Sequence, residues 1–82
     1  MTKNQISNHI VKKANECFEY ANNISLLDVK KEMQAQIFAY WEMYTNCFAN
    51  GNVFDDVCQN MKNMYMTLDE QISKGYKEIF SK

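Results

Sequence analysis

Apolar side chains recur at spacings of three and four along the whole chain, the period of an amphipathic helix, and no useful stretch alternates as a strand would. The spacing predicts three helices, over residues 3–22, 26–49 and 53–80, with tight turns between them. Helix starts are marked by capping chemistry. Thr2 with Gln5 fits a capping box. Ser25 with Asp28 fits a related pattern, with Ile24 and Val29 placed as a hydrophobic staple. Asn52 stands before Val53, and Asp55 and Asp56 are expected in the first turn of the third helix, where the helix dipole favours negative charge. Asn22-Asn23 and Asn50-Gly51 read as helix stops. Thr67 with Glu70 offers a second cap and Gly75 a break. The stripe nevertheless keeps one phase through Phe54, Val57, Met61, Met64, Tyr65, Leu68, Ile72 and Ile79, so one long third helix, bent near Gly75, is expected. Short loops make sequential helices antiparallel, and the fold class expected is all-α: an antiparallel, up-down-up three-helix bundle forming a single domain.

The width of the stripes sets up the functional argument. Helix 1 turns Ile6, Ile10, Ala14, Cys17, Phe18 and Ala21 inward over a moderate arc. Helix 2 carries Leu26, Val29, Met33, Ile37, Tyr40, Trp41, Tyr44, Cys47 and Phe48 on one face, widened by Leu27 and Phe38 to roughly half the circumference. Helix 3 is similarly broad, from Val53 and Met64 round to Cys58, Tyr76 and Phe80. The predicted helices are about 30, 36 and 42 Å long, so helix 1 is expected to fall short of the helix 2–3 turn. Tyr44, Cys47, Phe48, Phe54, Val57 and Cys58 would then be partly uncovered, and Ile79 and Phe80 would overhang the other end. A contiguous apolar patch of this kind marks an interaction surface, and a homodimer or a docked partner would bury it.

Composition narrows the chemistry. The 82 residues are 46% hydrophobic and 13% aromatic, enough for a packed core, with no proline and a net charge of −1. All nine basic residues are lysine; without arginine, phosphate clamping and base-edge readout are disfavoured. The single histidine, His9, and the cysteines Cys17, Cys47 and Cys58 lack metal-ligand spacing, so neither a metal site nor a cofactor is expected. The acids Glu32, Glu42, Asp55, Asp56, Asp69 and Glu70 read mostly as a solvated face, and no Glu-x-x-His pair exists. Odd cysteine usage, an N-terminus without an apolar signal core and a longest apolar run of only Ile37–Trp41 lead to the expectation of a cytoplasmic protein.

Charge is segregated. Residues 1–31 carry a balance of +2, residues 32–70 one of −5, and residues 71–82 one of +2. The helix 2–3 tip is therefore both apolar and acidic, suited to a basic partner. The leading expectation is a non-enzymatic protein-binding module using Tyr44, Phe48, Phe54, Asp55, Asp56, Val57 and Phe80. Lysine-only basicity, ten asparagines and no proline suggest an AT-rich genome and a phage or mobile-element inhibitor of a host protein. Two alternatives belong to other classes. One is a small apolar ligand held near Met33, Ile37 and Trp41. The other is a dimer that touches nucleic acid through Lys12, Lys13, Lys30 and Lys31, a weak footprint without arginine.

Overall fold

The computed structural model describes residues 2–52 and 54–81. Among them are three α-helices and no strand: α1 (Lys3–Asn22), α2 (Leu27–Cys47) and α3 (Asp56–Phe80). The helices pack as an all-α three-helix bundle in which α1 and α3 each lie mainly against α2 and touch one another less. Val53, expected to open the third helix, lies outside the described residues.

Three named contacts join α1 to α2 and its C-cap residue, Phe48. Lys3 Nζ lies 5.9 Å from the Phe48 ring centroid, Cys17 Sγ lies 3.4 Å from Gln36 Oε1, and Ala21 O lies 2.7 Å from Lys30 Nζ. Between α2 and α3, Thr45 Oγ1 meets Cys58 Sγ at 3.2 Å, Gln34 Nε2 donates to Tyr65 O at 3.3 Å, and Lys30 Nζ donates to Gln71 Oε1 at 2.8 Å. In each pair the residue number on one helix rises as that on its neighbour falls.

The stripes read from the sequence supply the core. Ile10, Ala14 and Ala21 of α1, Ile37 and Tyr44 of α2, and Cys58, Met61, Met64, Leu68 and Ile72 of α3 are buried. Ile37, Met61, Leu68 and Cys58 are the largest fully enclosed side chains. That is a thin core, and the shape explains why. The molecule measures 51 × 22 × 15 Å with a radius of gyration of 14.0 Å. A compact chain of this length would have about 12 Å. Its accessible surface is 5725 Å², against about 5,100 Å² for a compact monomer of this mass.

Several boundary expectations change. The Thr2–Gln5 capping box forms in both directions, as the sequence implied. Ser25 does not cap α2: the N-cap position falls on Leu26, which offers no side-chain acceptor, and Ser25 stands one residue too early. Asp28 is left to favour that helix start through its first-turn charge. Asp55 is the N-cap of α3 rather than a first-turn residue, and its carboxylate accepts from the Val57 and Cys58 amides. At the tip, α2 stops at Cys47, and Asn50 and Gly51 turn the chain with φ of +52° and +79°. α3 then runs unbroken through Thr67 and Gly75. Gly75 is where α3 meets Leu27: a Cβ there would stand 2.5 Å from Leu27 Cδ2.

Candidate functional site

The largest departure concerns the tip between α2 and α3. With α2 ending at Cys47, its 21 residues nearly match the 20 of α1, and the first turn of α1 does reach the tip. Tyr44 is therefore buried, at 9% exposure, and Phe48 is half-buried, its ring stacked on Tyr44 at 5.6 Å with Lys3 above it. Burial pushes the Tyr44 phenol above the ordinary tyrosine range. The Asp55 carboxylate adds to the rise, and a hydrogen bond with Ser7 opposes it. Neither Tyr44 nor Phe48 is a free contact surface. Val57 is half-buried against the core. Phe54, at 82% exposure, and Asp56 remain on the outside, beside the capping Asp55.

The more extensive apolar surface lies at the opposite end, where α2 begins and α3 ends. Leu26 is 61% exposed, Ile79 57% and Phe80 81%. Phe80 stacks on Tyr76 at 6.3 Å, and Lys31 Nζ lies 4.7 Å from the Tyr76 ring centroid. Leu26, Leu27, Val29, Tyr76 and Ile79 line a groove of about 420 Å³. The overhang of Ile79 and Phe80 expected from the sequence is present. Leu26 was expected in the core stripe. It is exposed because it holds the N-cap position, with extended backbone, and so lies outside the helical phase.

Beside this groove is a polar junction that the stripe pattern did not anticipate. Lys30 was expected on the surface, but it is buried at 9% exposure. Its ammonium donates to the Ala21 carbonyl and to Gln71 Oε1, and Gln71 Nε2 donates onward to Asn22 Oδ1 at 2.9 Å. Ala21 lies in the last turn of α1, whose carbonyls have no partner within the helix and carry the negative end of its dipole. One lysine thus ties the end of α1 to both other helices. This burial removes Lys30 from any surface that all four of Lys12, Lys13, Lys30 and Lys31 would share. Lys13 pairs with Glu16 at 3.4 Å, and Lys31 lies over Tyr76.

Of the three expected ligand-pocket residues, Ile37 is fully buried, and Met33 and Trp41 pack partly buried against the core. The ring of Trp41 meets Phe38 edge-on at 5.8 Å and Tyr65 at 6.2 Å on the outer α2–α3 face. The cleft touching Trp41 is lined there by Phe38, Glu42, Thr45 and Asn46, without Met33 or Ile37. The thiols are separate: Cys58 is buried, Cys17 half-buried and Cys47 exposed. Burial raises the Cys17 thiol pKa, with Glu16 adding to the effect and Lys13 opposing it. Among the described residues, no three His, Cys, Asp or Glu side chains converge as a metal set, and no helix is long and apolar enough to cross a membrane. No protein family, curated protein or solved structure matches the chain.

Proposed function

We propose that this chain is a non-enzymatic protein-binding module that docks through the end of the bundle formed by the start of α2 and the end of α3. The observation that carries the reading is the exposure of Leu26 and Ile79 on one groove, with exposed Phe80 stacked on its Tyr76 wall, in a molecule with too thin a core to cover them. The ladder of contacts along α2 supports an up-down-up arrangement, which puts this patch and the Phe54 tip at opposite poles. The partner is a protein surface, with a second copy of the chain, as a homodimer, the simplest case. An inhibitor encoded by a phage or mobile element, acting in a cytoplasm by covering a host protein's site, fits the small size and the lysine- and asparagine-rich composition.

Sedimentation velocity over a wide concentration range tests the homodimer. Chemical crosslinking in the source cell, comparing the native chain with Phe80→Asp, tests the partner. The reading expects either self-association or a crosslinked complex, lost in both cases on Phe80→Asp. A chain that stays monomeric and crosslinks to nothing, or whose contacts survive Phe80→Asp, overturns it.

A further inference from the structure

The three helices meet around a second, open and shallow cleft of about 510 Å³, with polar and apolar lining in equal measure, next to the apolar groove and sharing Leu27 with it. Lys30, about nine-tenths buried, lines this cleft. An ammonium has three N–H donors. Two of those on Lys30 go to neutral oxygens, of Ala21 and Gln71, and among the described residues the third has no acceptor. No carboxylate of the described residues pairs with it either. The C-terminal end of α1 supplies only a fraction of a compensating charge. Lys74 lines the same cleft as a second cation and Glu78 as a single anion, so its formal charge is +1. Asn22 and Ser25 add hydrogen-bonding side chains at the rim.

We infer that this cleft binds a carboxylate, seated between the Lys30 and Lys74 ammonium groups with its organic part against Leu27. A carboxylate matches the +1 balance and presents enough lone pairs for the free Lys30 N–H, Lys74 and a rim amide. A phosphate dianion fits less well, because it exceeds the positive charge available and meets Glu78. The same chemistry occurs in a free small acid and in the C-terminus of a polypeptide.

Amide NMR titrations of the intact chain test the site. The probes are sodium acetate and N-acetyl-leucine, with N-acetyl-leucinamide and sodium chloride as controls. Both acids should give saturable shifts confined to residues 21–31 and 71–79, which neither control reproduces. Lys74→Gln, an exposed change, should weaken both acids about tenfold by removing one charge-assisted contact, and Lys12→Gln should leave them unchanged. Acetate binding as tightly as N-acetyl-leucine supports the site as one for free small acids. Tighter N-acetyl-leucine, with added shifts at Tyr76 and Ile79, supports it as one for a polypeptide terminus. The inference is overturned by an absence of saturable shifts, by shifts spread to Lys12 and Lys13, or by undiminished affinity in Lys74→Gln.

Discussion

Lys30 is the residue on which the α1–α2 corner depends. Replacing it by methionine keeps most of the aliphatic stem but strips the Ala21 carbonyl and Gln71 Oε1 of their shared donor. Leaving such buried oxygens unpaired costs about 1–3 kcal/mol. In a domain this small each kcal/mol lowers the melting temperature by about 4–8 °C, so thermal melts followed by circular dichroism should show the loss. The signal for Lys30 was in the sequence, since it stands seven residues before Ile37 and fourteen before Tyr44, in phase with the buried seam. What the stripe could not show is that the end of α1 would bring the Ala21 carbonyl, and α3 the Gln71 side chain, to that point as acceptors for the ammonium. Tyr44 gives a second residue-level test. Its pKa is raised in the folded chain, so the native state holds the phenolic proton more tightly than the unfolded one does. Stability is then intact below the ordinary tyrosine pKa of about 10 and falls as pH climbs above it. Tyr44→Phe should remove that component of the alkaline loss while leaving the neutral-pH ring packing on Phe48. Urea titrations at rising pH, native against variant, would read the difference.

At the scale of the element, the side-chain cap of α1 was legible, whereas that of α3 was placed too early, because Asp55 rather than Asn52 accepts from the first free amides. Thr2 and Gln5 announce α1 because both halves of the capping box lie in the sequence and form. α2 begins one residue after its expected start and ends two before its expected stop, because Leu26 caps without a side chain and the tip turns through backbone bonds such as Gly51 N–H to Thr45 O. That shortening changed the expectation for the tip at two residues: Tyr44 and Cys58, expected to be partly uncovered, are buried, whereas Cys47 and Phe54 are exposed and Phe48 and Val57 half-buried, as expected. The α3 cap is testable. Asp55→Ala removes the acceptor for the Val57 and Cys58 amides and should cost about 1 kcal/mol, read from the denaturation midpoint. Gly75 presents the opposite case. Alanine there gains about 1 kcal/mol of helix propensity, yet its Cβ displaces the Leu27 side chain, which is half-buried and able to shift. The two effects should nearly cancel in Gly75→Ala, whereas Gly75→Leu has no such offset and should separate α2 from α3, with a clear loss of stability.

At the scale of the whole molecule, the decisive property is the ratio of surface to core. Several large apolar side chains of α2 and α3 stay outside the core, and which ones do so depends on helix ends that fix the overlap of neighbours. The result leaves Leu26, Ile79 and Phe80 together at one pole. Burying apolar surface contributes roughly 25 cal/mol per Å², so covering this patch favours association wherever a complementary face exists. Charged substitutions at these positions touch no core contact, and Leu26→Asp also supplies the acceptor that the α2 N-cap lacks, so with Phe80→Asp the melting temperature of the dilute protomer should not fall. Where the native chain self-associates, the same double change should abolish the concentration dependence of its sedimentation. A large stability loss in the dilute variant would place these residues in the folding core instead. Normal stability combined with undiminished association would move the docking face elsewhere, with the exposed Phe54 tip the next surface to examine.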